Sequence, residues 1–139
     1  MTEPVLIDAG PLVAIFSVND ERHSECVEVL QGLKQPPITC WPVITEAAYL
    51  LRKRPDQVGM FLASLSRGAI VVDPLTNPRL LPEIQRLYGR YGPNGVQVAD
   101  VCLIALSRLL GIRTPFTLDR RDFGFVSADD GGPFELVPQ

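Results

Sequence analysis

Val5-Leu6-Ile7-Asp8-Ala9-Gly10-Pro11-Leu12-Val13-Ala14-Ile15-Phe16 decides the reading of the fold. Pro4 to Asp8 reads as a short buried strand, because its apolar run is too brief for a helix and ends abruptly on an acid. Pro11 then stands where a helix can begin, since the N–H that proline lacks would have no partner in a first turn. Leu12 to Phe16 supplies the apolar residues of that helix. A buried strand, an acid and a helix in immediate succession are the opening of an α/β unit.

The alternation continues along the chain. Asp20-Glu21-Arg22-His23 leads into a helix with Cys26, Val27, Leu30 and Leu33 at helical spacing, and Pro36-Pro37 stops it. Ile38-Thr39-Cys40 reads as the second strand. Pro42 opens a helix that carries Glu46 and runs to Arg54, and Val58 to Leu65 forms another, ended by Gly68. Ala69-Ile70-Val71-Val72 is β-branched and reads as the third strand. Leu80 to Tyr91 has helical periodicity, Gly92-Pro93-Asn94-Gly95 is a loop, and the helix containing Asp100 ends at Gly111. Thr114 to Leu118 is the fourth strand and Phe134-Glu135-Leu136-Val137 a fifth, with Asp129-Asp130-Gly131-Gly132 as a turn between them. This pattern predicts a single α/β domain over residues 1–139, a parallel four- or five-stranded sheet flanked by helices on both faces.

Composition bounds the function. The 46% hydrophobic and 21% charged fractions are those of a folded globular chain. No stretch approaches a membrane span, and Met1-Thr2-Glu3-Pro4 lacks a basic leader, so a cytoplasmic protein without membrane attachment is expected. Cys26, Cys40 and Cys102 are odd in number and widely spaced, which predicts three reduced, buried thiols rather than a disulfide framework or a zinc site. The net charge of −3 does not favour broad coating of nucleic acid. Eleven of the thirteen basic residues are arginine, the better phosphate ligand.

Four acids stand out against their surroundings. Asp8 and Asp119 end the apolar runs Val5-Leu6-Ile7 and Phe116-Thr117-Leu118, whereas Glu46 and Asp100 open apolar helical stretches. Each has a structural reading. Asp8 can cap the helix at Pro11, Asp100 can cap its own helix, and Asp119 can cap a turn toward Asp122-Phe123. Glu46 has Val43, Tyr49 and Leu50 as its helical neighbours and so lies on an apolar side. Residues past strand ends and in first helical turns are also those that converge on a ligand in α/β proteins. Carboxylates gathered there repel one another, and a divalent cation is their natural partner. A metal-dependent hydrolase is the leading expectation.

The ordered segments Leu6-Ile7-Asp8-Ala9-Gly10-Pro11-Leu12, Ile44-Thr45-Glu46, Ala99-Asp100-Val101-Cys102-Leu103-Ile104-Ala105 and Thr117-Leu118-Asp119-Arg120-Arg121-Asp122-Phe123 resemble the PIN-domain nucleases, and among them the VapC-type toxins of toxin–antitoxin pairs. The resemblance implies a PIN-like fold and Mg²⁺- or Mn²⁺-dependent endonucleolytic cleavage of RNA. It also implies a cognate antitoxin protein as partner and a homodimer. On its basis Asp8, Glu46, Asp100 and Asp119 match the acidic quartet, with Asp8, Asp100 and Asp119 as metal ligands, and Thr117 matches the nearby hydroxyl. Asp122 is a supporting residue, and Arg120 and Arg121 are placed to grip RNA phosphates, with Arg52-Lys53-Arg54 as a weaker version of the same idea. The chain departs from the family pattern in having Ala9 and Gly10 where a Ser or Thr commonly follows the first Asp.

Other phosphoryl-transfer folds fit less well. A dehalogenase-type site needs a second Asp where Gly10 stands, a receiver-type site needs a lysine after a late strand, and the only lysines are Lys34 and Lys53. A G-x-G-x-x-G after the first strand is absent. His23, the single histidine, lies in a polar helix start and is not expected to act in catalysis. The remaining alternative is a noncatalytic PIN-like module that binds RNA or protein.

Overall fold

A computed structural model describes residues 3–121, Phe123 and residues 134–139. Asp122 and the turn expected at 129–132 lie outside the described residues. Four parallel strands, β1 (Leu6–Ile7), β2 (Ile38–Cys40), β3 (Val71–Asp73) and β4 (Pro115–Phe116), form a sheet in the order β3-β2-β1-β4. Parallel neighbours require crossover connections. These are supplied by helices α1 (Ala9–Phe16), α2 (His23–Gln31), α3 (Trp41–Leu50), α4 (Pro55–Ser66), α5 (Leu80–Tyr91) and α6 (Val98–Leu110), with a short 3₁₀ turn at Gly92–Asn94.

The strands are shorter than their apolar runs. In β1 only Leu6 and Ile7 pair in register, with Pro115 and Phe116 of β4, while Asp8 already turns into α1 as its N-cap. The helix therefore begins at Ala9, two residues before the proline that marked it in the sequence. The expected third strand shifts to Val71–Asp73, because Ala69 and Ile70 are used to leave α4, both donating backbone N–H to Ser64. The segment expected as a fifth strand makes a single parallel bridge, Val137 to Phe116, so the sheet is four-stranded with an added contact.

The core is built around α6, in which Val101 through Ser107 are all buried. A helix apolar on every side belongs in the middle of a fold, and α6 packs against both α3 and α5. Its last turn closes at Gly111, whose φ of 68° is the left-handed conformation glycine tolerates best. His23 Nδ1 donates to the Ala14 carbonyl oxygen at 2.7 Å, tying α2 to α1. Cys26, Cys40 and Cys102 are free and buried, and burial pushes the first two thiols up to about 11 and about 12. Among the described residues no helix is long and apolar enough to cross a membrane.

Candidate functional site

The strand order reverses between β1 and β4: the chain winds outward from β1 through β2 to β3, then returns to place β4 on the other side. In open parallel sheets, ligands bind beyond the carboxyl ends of the strands at such a reversal. Asp8 follows β1 there and Thr117 follows β4. The backbone joins them, with Asp8 N–H donating to Phe116 O at 2.9 Å, and so do the side chains.

Asp8 is buried and doubly held. Its Oδ1 accepts from Ala9 N–H at 2.8 Å, and its Oδ2 accepts from the fully buried Thr117 hydroxyl at 3.0 Å. The cap reading of Asp8 and its place in the site are thus both true of one side chain. A hydroxyl beside Asp8 comes from the β4 side, since Ala9 and Gly10 offer none. The Thr117 oxygen in turn accepts from Asp119 N–H at 3.2 Å, coupling the two strand-end acids.

A cavity of about 600 Å³ opens at this point, lined by Asp8, Glu46, Asp100 and Asp119 together with Gln97 and Arg121. All four acids singled out from the sequence therefore face one space. Glu46 reaches it from the middle of α3, where burial raises its pKa and the negative charge of Asp8 raises it further. Asp100 arrives from the first turn of α6. It is not the N-cap but the third helical residue, in a reciprocal cap: the Gln97 side chain accepts from Asp100 N–H, and Asp100 Oδ2 accepts from Gln97 N–H at 3.3 Å. Gln97 carried no sequence signal of a site, because glutamine is an uncommon N-cap residue.

Arg121 is the cation on the cavity wall, its Nε 3.4 Å from Asp119 Oδ1. Arg120 does not line the cavity; it lies near Glu25, whose carboxyl is held below its ordinary value first by a hydrogen bond from Arg22 and last by the Arg120 charge. His23 and the segment Arg52-Lys53-Arg54 are also off the cavity wall.

The donor set is all oxygen, without thiol or imidazole, which is the chemistry of a hard divalent cation. The raised pKa of Glu46, caused first by burial and then by the Asp8 charge, is in keeping with two carboxylates sharing one site. Among the described residues no three acids, histidines or cysteines are gathered closely enough to hold an ion as they stand. The reason is local: Asp100 is turned to its own helix start and Asp119 to Arg121. The four acids nevertheless line one cavity with oxygen donors, so the residues fit a hard cation in kind.

No family model matches the chain. Ribonuclease VapC26 of Mycobacterium tuberculosis is 26% identical over 136 residues, spanning 96% of this chain and 100% of that protein. The crystal structure of Mycobacterium tuberculosis VapC20, a toxin that cleaves the sarcin–ricin loop, superposes with a TM-score of 0.77 at 16% identity, over 94% of this chain and 99% of that one. The chain is VapC-like in sequence and has the VapC PIN fold. Both likenesses run nearly end to end, so the similarity belongs to the whole chain rather than to one motif.

Proposed function

We propose that the protein is a divalent-cation-dependent endoribonuclease that hydrolyses RNA phosphodiester bonds, the toxin of a toxin–antitoxin pair. The observation that carries this reading is the convergence of Asp8, Glu46, Asp100 and Asp119 on one cavity at the sheet's reversal point. The VapC26 and VapC20 likenesses support the RNA substrate and the toxin role.

Asp8, Asp100 and Asp119 would hold Mg²⁺ or Mn²⁺, with Glu46 beside them. A cation bound there offsets charge on the phosphate oxygens and makes water more acidic. The chain's own contributions follow from its hydrogen bonds. Thr117 fixes the Asp8 carboxylate, and Gln97 fixes the turn that carries Asp100. Glu46, on the same cavity wall, would take a proton from attacking water. Arg121 can exchange Asp119 for a phosphate oxygen of the substrate. Asp122 stays a supporting residue in this reading, and Arg120 contributes charge at a distance.

Two partners complete the proposal. Leu81 and Tyr88, both exposed and seven residues apart on α5, offer an apolar stripe for a homodimer. A groove of about 430 Å³ lined by Ile15, Phe16, Leu30, Leu33 and Ile70, next to the end of α4, suits an apolar-faced segment of the antitoxin. Sedimentation at micromolar concentration tests the first, and co-purification with the small protein encoded beside this one tests the second.

The deciding experiment incubates the wild type and Asp8→Asn with a pooled RNA library across Mg²⁺ and Mn²⁺ titrations. Asparagine is also a good N-cap, so the variant should fold. Cleavage by the wild type alone, stopped by EDTA and leaving 5′-phosphate and 3′-hydroxyl ends, is expected of hydrolysis by water. RNA bound but uncut by the wild type at every metal concentration would make a noncatalytic binding module the better reading.

A further inference from the structure

Glu46 shares α3 with two exposed aromatic residues, Trp41 and Tyr49, and Tyr49 is three residues from it in sequence. Residues three apart on a helix are neighbours, with Cβ atoms about 5–6 Å apart, so Tyr49 and Glu46 leave α3 side by side. Leu50, one residue on, already lines the acid cavity. Tyr49 does not itself line the cavity but is a helical neighbour of two residues that do, and it is 60% exposed.

Arg52 is organised around this ring. Its Nη1 donates to the Tyr49 carbonyl oxygen at 2.9 Å, and its guanidinium carbon sits 3.9 Å from the ring centroid. One face of the tyrosine thus carries a pinned, delocalised cation, and the exposed remainder of the ring is available to another flat group. An exposed ring flanked by a cation is the combination that holds unpaired nucleobases, the ring stacking on the base and the cation attracting its phosphate. A protein partner would prefer an uninterrupted apolar patch, whereas Arg52 and Lys53, which follow Tyr49 in the chain, are charged and exposed.

We propose that Tyr49 and Arg52 form a stacking subsite that captures an unpaired base of the RNA next to the phosphate held over the four acids. This rests on the RNA-cleaving reading and adds to it a preference for single-stranded or splayed-out nucleotides at a fixed distance from the cut. Tyr49 contributes a flat surface, so the subsite discriminates paired from unpaired bases more than one base from another.

The test maps wild-type cut sites on the RNA library, then places 2-aminopurine at each position around one site in a short single-stranded oligonucleotide. Binding is followed with Asp8→Asn in Mg²⁺, so that the oligonucleotide stays whole. Quenching is expected at one position beside the cut. Tyr49→Ala in that background should abolish it, and in the otherwise wild-type enzyme should raise KM by about 5- to 150-fold, the range of one lost base stack, with a smaller change in kcat. Tyr49→Trp should preserve both effects, and Tyr49→Leu, which keeps apolar bulk without a stacking face, should not. Arg52→Ala should lower the salt dependence of binding by about 0.7 of a logarithmic slope unit, one phosphate contact on a single strand. Unchanged quenching and KM in Tyr49→Ala, or an effect confined to its sedimentation, would overturn the subsite and point to a protein contact. If the wild type neither binds nor cuts RNA, the RNA-cleaving reading itself fails, a different outcome from a cleaving enzyme indifferent to Tyr49.

Discussion

The Thr117 hydroxyl donates to Asp8 Oδ2 at 3.0 Å, joining two residues 109 positions apart at the ends of adjacent strands. Both side chains are buried, and the same oxygen accepts the Asp119 N–H. One hydroxyl thereby sets the orientation of one acid and the backbone of another. Thr117→Val keeps the shape and removes the donor, taking one hydrogen bond from a buried carboxylate. Chemical denaturation should show a loss of about 1.5–3 kcal/mol, the usual worth of a hydrogen bond to a charged group. Thr117→Ser should recover most of it, whereas equal losses in both variants would mean the methyl group matters and the hydrogen bond does not.

Glu46 makes stability depend on pH in the metal-free protein. Its pKa is raised in the folded state by burial and then by Asp8, so folding favours its protonated form. The stability this contributes is complete below the ordinary glutamate pKa and is lost as pH rises through the elevated folded value. Glu46→Gln, which is neutral throughout, should melt higher than the wild type at neutral pH, and the two curves should converge as the pH falls into the acid range. A difference that stays constant with pH would remove the electrostatic explanation. Added Mn²⁺ should raise the wild-type melting temperature by ligand linkage and narrow the gap.

The two adjacent arginines are expected to differ. Arg121 lines the acid cavity and pairs with Asp119, whereas Arg120 lies toward Glu25. Arg121→Ala should reduce the logarithmic salt slope of RNA binding by about 0.7, the value for one phosphate on a single strand, and Arg120→Ala by less. A larger effect at Arg120 in filter-binding titrations would place the RNA on the α2 side of Asp119.

These contrasts mark where sequence was legible. Ile38–Cys40 and Leu80–Tyr91 matched their expected bounds, because prolines, β-branched residues and a clear helical period enclose them. The four acids were legible because each interrupts an apolar run, and a buried charge in such a run needs a reason. Which arginine meets the cavity was not, since it depends on where α2 packs, a long-range matter that neighbouring residues do not encode. The shortness of β1 and β4 escaped for a related reason: apolar runs report burial, and Val5 and Thr114 are buried without belonging to a strand. Gln97 was invisible because its role comes from reciprocity with Asp100 rather than from residue type.

That reciprocity carries the last prediction. Gln97 accepts the Asp100 N–H through its side chain while its own N–H donates to Asp100 Oδ2 at 3.3 Å, so the acid is held in the first turn of α6 from both sides. Gln97→Leu removes the side-chain half of the cap and should cost about 0.5–2 kcal/mol in stability. Gln97→Ser restores a cap of another kind and should recover the stability. The two variants separate a structural role from a positioning one. Serine is too short to line the cavity as glutamine does, so a function confined to capping predicts full Mn²⁺ affinity and kcat in Gln97→Ser. If glutamine also sets where the Asp100 carboxylate sits, calorimetric titration should find Mn²⁺ affinity reduced in both variants, with kcat falling more than KM rises. We expect the second pattern, because Gln97 and Asp100 face the cavity side by side. Normal Mn²⁺ binding by a destabilised Gln97→Leu would reduce Gln97 to a helix cap.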